Sequence, residues 1–139
     1  MKMLIDASVA LSWFVVCEET EASLALLERC RLRAPDILAA EVRGALRTLS
    51  ARGELPQKQL SGMERRLSQL AIEMSPSDPH LREAFRLAQI ISEPIYSCIY
   101  LALAQALAMP LVTADRRFYG AARRSPATAG HVRFVSEAA

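Results

Sequence analysis

Long apolar runs and glycine are both scarce in this chain. No stretch of eighteen uninterrupted apolar residues is present, and the longest apolar tract, 95–110, is broken by Ser97 and Gln105, so it predicts a buried helix and not a membrane span. Asp6 lies too close to the start for an apolar leader to precede it, so we expect a cytoplasmic protein. With 5 glycines and 52% hydrophobic residues, the composition excludes disordered and fibrous classes and predicts one globular domain, 1–139.

Side chains that hold zinc or form disulfides are also few. Cys17, Cys30 and Cys98 contain no CxxC pair, and His80 and His131 are the two histidines. We therefore expect neither a zinc site nor a disulfide framework. We expect three buried thiols in a reducing cytosol.

Lysine is almost absent, because 15 of the 17 basic residues are arginine and the exceptions are Lys2 and Lys58. Arginine can bind phosphate in a bidentate manner, which favours contact with RNA, but a GC-rich genome would produce the same bias. The formal net charge of +2 does not decide between these explanations. The scarcity of lysine does exclude a phosphoryl-accepting receiver domain, which needs a lysine after a late strand.

The apolar pattern alternates between strands and helices, as in an α/β domain. Strands are predicted at 2–5, 32–34, 72–74, 111–113 and 132–135. Helices are predicted at 7–14, 20–31 with Thr20 as N-cap, 37–51, 56–70, from a cap at 77–79 to 91, and 96–108, with a loop at 123–130. Strands separated by helices imply right-handed crossovers and a mainly parallel sheet.

Two of the four aspartates directly follow predicted strands. Asp6 ends the first strand and Asp115 lies just past the strand at 111–113. In a parallel sheet both positions lie at the carboxyl edge, where such sheets bind ligands. Each could simply cap the helix that follows it, as Asp36 and Asp78 are expected to do, but their convergence on one edge favours a shared site.

Glu41 is the third acidic candidate, because it lies within an apolar stretch of the helix at 37–51. A carboxylate there is costly to bury without a cation, although a surface ion pair with Arg43 or Arg47 is the alternative. Carboxylates about 4 Å apart repel by roughly 4 kcal/mol at an effective dielectric near 20, so a cluster of three needs a counter-cation. Oxygen donors without histidine or cysteine favour Mg²⁺ or Mn²⁺, and such a metal predicts phosphodiester hydrolysis.

Four segments together resemble the PIN domain, and in particular its VapC-type toxin ribonucleases. They are LIDASV at 4–9, PDI at 35–37 followed by EV at 41–42, YSCIYLALA at 96–104 and LVTADRRF at 111–118. They occur in the family's order and spacing. The resemblance implies a three-layer α/β/α fold with a central, mainly parallel sheet, and a ribonuclease site in which four acidic positions bind Mg²⁺ or Mn²⁺.

The resemblance also assigns individual roles and partners. Asp6, Glu41 and Asp115 match three of the four acidic positions, which implies that they bind the metal and carry catalysis. Ser8 and Thr113 match hydroxyl positions that support the first and last aspartates. A VapB-like antitoxin is the implied partner, RNA the implied substrate and a homodimer the implied assembly.

Ser97 departs from the family pattern, which normally has aspartate at this position. A serine hydroxyl is a weak, neutral ligand, so its presence predicts weakened metal binding and cleavage. Glu93 is a poor substitute, because it precedes Pro94 and is biased out of the helical conformation. Two hypotheses follow: a weakened but active endoribonuclease, or a PIN-fold module that pairs with an antitoxin or RNA without cutting.

Two surfaces are candidates for macromolecular contact. RNA is expected to meet the arginines that follow Asp115, with a solvated helix face as the alternative; these are Arg116, Arg117, Arg123 and Arg124. An antitoxin is expected to cover apolar surface around Trp13, Phe14 and 22–27, although Trp13 is itself predicted to belong to the core.

Overall fold

The sheet of the computed structural model, which describes residues 1–138, has five parallel strands in the order β3-β2-β1-β4-β5. The strands are β1 Lys2–Ile5, β2 Arg31–Pro35, β3 Ile72–Ser75, β4 Leu111–Thr113 and β5 Val132–Phe134. At least one helix links each strand to the next, as a parallel pair requires. The predicted three-layer α/β/α fold is confirmed; Ala139, the last residue of the predicted domain, lies outside the described residues.

Eight α-helices are present in residues 1–138. They are α1 Ala7–Ser12, α2 Thr20–Arg29, α3 Leu38–Ala51, α4 Leu60–Gln69, α5 Leu81–Ile91, α6 Ile95–Leu107, α7 Arg116–Arg124 and α8 Val135–Ala138. Short 3₁₀ turns occur at Gln57–Gln59, Asp78–His80 and Ala129–His131. Within this part of the chain no single helix is long and apolar enough to cross a membrane. The segments Asp78–Ile91 and Ile95–Leu107, with a sharp bend between them, would together be long and apolar enough by length and composition alone.

The strand order brings two distant segments to the same edge of the sheet. β1 lies at the centre, between β2 and β4, and its register pairs Ile5 with Val112. Because the two strands are parallel, the residues that follow Ile5 and Val112 lie side by side at the same edge of the sheet. Asp6 and Thr113 are therefore neighbours in space, although 107 positions separate them in the chain.

The core surrounds β1 and α6. Met3, Leu4 and Ile5 are fully buried, because helices cover both faces of a parallel sheet. In α6 every residue from 98 to 104 is buried, which explains why this helix lacks a polar stripe. The apolar tract that could be mistaken for a membrane segment is thus the central helix of the fold.

Several local predictions were wrong. Thr20 does not cap α2: its hydroxyl accepts from the Cys17 N–H at 2.9 Å and donates to the Ser12 carbonyl at 2.8 Å, which fixes the turn after α1. Asp36 does not cap α3 either, because its carboxylate accepts from the N–H and hydroxyl of Ser77. Of the three thiols only one is fully buried, and Cys17 is exposed.

The predicted loop at 123–130 is partly helical. α7 continues to Arg124, and a 3₁₀ turn covers Ala129–His131. α8 follows β5 directly and was not predicted, since four residues are too few for a periodic pattern.

Truncation of Leu101 should reveal how much stability the central helix supplies. Leu101 is fully buried in α6, so Leu101→Ala should lower the free energy of unfolding by about 3 kcal/mol. Leu24→Ala is the control, because Leu24 lies on α2 with 42% of its surface exposed, and it should cost under about 1 kcal/mol. Urea denaturation measures both; equal losses would contradict the assignment of α6 to the core.

Candidate functional site

Asp6 is enclosed by hydrogen-bond donors. Its Oδ1 accepts from the Ser8 hydroxyl at 2.5 Å and from the Val9 N–H at 3.2 Å, and its Oδ2 accepts from the Thr113 hydroxyl at 2.5 Å. The bond from Val9 makes Asp6 the N-cap of α1. One carboxylate therefore begins a helix and binds the end of the neighbouring strand.

Asp115 is joined to the same network. The Thr113 hydroxyl accepts from the Asp115 N–H at 3.1 Å, and the Ser8 hydroxyl accepts from the Ala114 N–H at 2.9 Å. Asp115 also caps α7, because its Oδ1 accepts from the Phe118 N–H at 3.1 Å. Capping and convergence at one edge are thus not alternatives, since both aspartates do both.

The carboxyl group of Asp6 lies in an electrostatically unfavourable position. Burial, which leaves 8% of the residue exposed, raises its pKa from 3.8 to about 6, and the nearby charge of Asp115 acts in the same direction. Hydrogen bonds from Ser8, Thr113 and Val9 oppose this increase without cancelling it. A cation at this edge would relieve both effects, because it favours the charged form of each aspartate.

Glu41 forms a hydrogen bond with a tyrosine of α6. It lies half-buried in the first turn of α3, and its Oε1 accepts from the Tyr100 hydroxyl at 2.5 Å. Burial raises the pKa of Tyr100, as do its hydrogen bond to Glu41 and the charges of Glu41 and Asp6. Arg43, a candidate ion-pair partner for Glu41, instead pairs with Glu64 at 3.0 Å.

Ser97 lies in the first turn of α6 and is half-buried. It precedes Tyr100 by three positions, so the two side chains share one face of the helix. That face contacts Glu41 through Tyr100. Sequence reasoning did not assign Tyr100 a role, although it belongs to the same YSCIY segment.

The carboxylates do not form a compact cluster of three. Among residues 1–138, no group of three or more His, Cys, Asp and Glu side chains is close enough to hold a metal ion. Asp6 and Asp115 share the hydrogen-bond network, and Glu41 lies beyond Tyr100. These donors are oxygens, which suit Mg²⁺ or Mn²⁺.

Glu93 is bound elsewhere. Its side chain is 6% exposed and its Oε2 accepts from Arg117 at 2.7 Å. Its buried Oε1 has no hydrogen-bond partner among the described residues. Glu93 thus ties the segment before α6 to the start of α7.

The four candidate arginines divide into two pairs. Arg116 and Arg117 begin α7 next to Asp115, whereas Arg123 and Arg124 lie about 10 Å farther along the helix. The Arg116 guanidinium stacks on Phe134, 4.5 Å from the ring centroid. The first pair is therefore the one adjacent to the acidic edge.

The metal-free protein should show the electrostatic cost of Asp6. Because its pKa is raised from 3.8 to about 6 on folding, its proton stabilises the folded state below pH 3.8, and this stabilisation is lost as the pH rises through 6. Between pH 4 and 7 the free energy of unfolding should therefore fall by ~2 kcal/mol more in the unsubstituted protein than in Asp6→Asn.

Urea titrations in EDTA measure this difference, with Asp78→Asn as the control because Asp78 is exposed. If Asp6→Asn shows the same pH dependence as the unsubstituted protein, the Asp6 carboxyl is not destabilised in the folded state.

Comparisons with known proteins agree with this architecture. The model of the PIN domain family matches residues 3–124. Ribonuclease VapC3 of Pyrobaculum aerophilum is 31% identical over 120 residues, which are 84% of this chain and 92% of that protein.

Two solved structures have the same fold. VapBC2 from Rickettsia felis, bound to a DNA fragment from its promoter, gives a TM-score of 0.63 at 15% identity and covers 96% of this chain and 98% of that one. A toxin–antitoxin complex from Klebsiella pneumoniae gives a TM-score of 0.60 at 16% identity, and the match covers 96% of this chain and 97% of that one. Because the family model spans most of the sequence and a VapC ribonuclease is 31% identical across it, this chain belongs to the PIN-domain family, in its VapC type.

Proposed function

We propose that this protein is a VapC-like endoribonuclease toxin that depends on Mg²⁺ or Mn²⁺ and is weakened by serine at position 97. The observation that carries the proposal is the shared anchoring of Asp6 and Asp115, through Ser8 and Thr113, at the carboxyl edge of β1 and β4. Parallel α/β sheets bind their ligands at such edges. The raised pKa of Asp6 further supports a functional site there.

Each side chain has a distinct part in the proposed reaction. Asp6 and Asp115 would hold the metal, which when bound lowers the pKa of water and stabilises charge on a phosphate. The hydroxyls of Ser8 and Thr113 orient Asp6 by donating to its two oxygens. Glu41 would contribute a third carboxylate to the metal site, directly or through a bound water, and would help to orient the attacking water.

RNA contact is proposed for the arginines beside the acidic edge. Arg116 and Arg117 begin α7 and are exposed, so they can contact the phosphates that flank the cleaved bond. Arg123 and Arg124 would contact more distant phosphates, since they lie at the other end of α7. We place the activity in the cytoplasm, where the free thiols are stable.

The second candidate function is a module that pairs with an antitoxin or RNA without cutting. Two observations favour it: the neutral side chain at Ser97, and the absence of three gathered carboxylates in residues 1–138. The two functions differ in one respect that can be measured, because only the first requires metal-dependent cleavage.

A VapB-like antitoxin is the proposed partner. The solved structures with this fold include VapBC2 and a toxin–antitoxin complex. On this chain, Leu24 is 42% exposed on α2, and Trp13 and Phe14 beside it are half-buried. We also propose a homodimer, for which the exposed Phe85 of α5 offers apolar surface.

Restoring the missing charge should raise activity. Ser97→Asp adds an oxygen ligand at the site and places a carboxylate in the first turn of α6, where the helix dipole favours it. Metal-dependent cleavage of a structured RNA at fixed Mg²⁺ should rise at least roughly tenfold, and Mn²⁺ should bind more tightly in calorimetry.

Two controls accompany this variant. Ser61→Asp places the same charge in the first turn of α4, away from the site, and should change neither quantity. Asp6→Asn combined with Ser97→Asp should abolish both metal binding and cleavage. If Ser97→Asp leaves metal affinity and cleavage unchanged, residue 97 is not a ligand position; if no variant cuts RNA, the binding module is the better account.

The antitoxin should be encoded beside this protein and co-purify with it. We expect a small partner with a DNA-binding N-terminus and an apolar C-terminal tail. Leu24→Glu should weaken the complex at least roughly tenfold, because it places a charge on the proposed interface. Leu107→Glu, at a 39% exposed leucine that ends α6, is the matched control and should not. An isolated gene without a co-purifying partner would contradict the toxin assignment.

A further inference from the structure

Tyr100 is a buried side chain whose hydroxyl reaches the acidic edge. It is 2% exposed, and its hydroxyl donates to Oε1 of Glu41 at 2.5 Å, across 59 positions of the chain. The ring is fixed by α6, in which every residue from 98 to 104 is buried. The hydrogen bond therefore extends from the buried core to a half-buried carboxylate.

Glu41 has few other restraints on its orientation. Among the described residues, no hydrogen bond reaches its Oε2, and Arg43 is occupied by Glu64. A glutamate has several rotatable bonds, so without a partner its carboxylate would adopt many positions. With Oε1 bound by a fixed donor, Oε2 is the oxygen left for a ligand or a water.

We propose that Tyr100 is a positioning residue, whose hydroxyl fixes Oε1 of Glu41 so that Oε2 faces the edge formed by Asp6 and Asp115. The charge of Asp6 also acts to raise the pKa of Tyr100, so the hydroxyl that binds Glu41 lies within reach of the charge on Asp6. This inference depends on the proposed metal-dependent function. The orientation of Glu41 is important in this chain because position 97 supplies no charge, which leaves Glu41 as the third carboxylate of the proposed site.

The test is calorimetric titration of Mn²⁺ into the full-length variant Tyr100→Phe. This substitution keeps the buried ring and removes only the hydroxyl, so the fold should be retained, which circular dichroism and thermal unfolding verify. We expect at least roughly tenfold weaker Mn²⁺ binding, the lower end of the loss seen when a partner that orients a metal ligand is removed.

Tyr119→Phe is the matched control. The Tyr119 hydroxyl also donates to a glutamate, Glu137, at 3.2 Å, but that pair lies on α7 and α8. The control removes the same chemical group from a Tyr–Glu pair outside the site. It should leave Mn²⁺ affinity unchanged within twofold.

A double-substitution cycle separates positioning from packing. If Tyr100 acts through Glu41, then adding Tyr100→Phe to Glu41→Gln should weaken Mn²⁺ binding by less than twofold. An equal loss in both backgrounds would show that the hydroxyl supports the fold and does not position Glu41, which overturns the inference.

Asp6→Asn distinguishes this inference from the function on which it rests. If Asp6→Asn abolishes Mn²⁺ binding while Tyr100→Phe binds as the unsubstituted protein does, only the role of Tyr100 is wrong. If Asp6→Asn still binds Mn²⁺ with full affinity, the metal site itself is elsewhere and both proposals fail.

Discussion

Two hydrogen bonds, one that the Thr113 hydroxyl donates to Asp6 and one that the Ser8 hydroxyl accepts from the Ala114 N–H, hold together two parts of the chain that lie at opposite ends of the sequence. They form only because β1 and β4 are parallel neighbours in the sheet. The same Asp6 carboxylate caps α1 by accepting from the Val9 N–H, and the same Thr113 hydroxyl accepts from the Asp115 N–H, which fixes the turn before α7. Fold and candidate site therefore depend on one buried carboxylate.

Burying that carboxylate beside a second one opposes folding of the metal-free protein, as the raised pKa of Asp6 indicates. Under the proposed function, the neutral serine at position 97 would add no further repulsion to the metal-free site and would supply no charge to attract a cation. Orientation of the remaining carboxylate, Glu41, becomes correspondingly more important.

The sheet edge could be predicted from the sequence, whereas the contacts across it could not. β1 and β4 have the predicted bounds, because each is an apolar segment that ends at polar residues. The bond between Tyr100 and Glu41 joins α6 to α3, and a contact between distant helices leaves no periodic signal. Thr20 failed as a predicted cap, since local hydrogen bonds within the turn after α1 occupy its hydroxyl.

One divalent metal is proposed to bind between the aspartates at this edge of the sheet. Anomalous diffraction at the manganese edge, from crystals soaked in Mn²⁺, would locate such an ion. We expect a single strong peak at about 2.2 Å from carboxylate oxygens of Asp6 and Asp115. A peak bound by other residues, with none at these two aspartates under saturating Mn²⁺, would contradict the proposal.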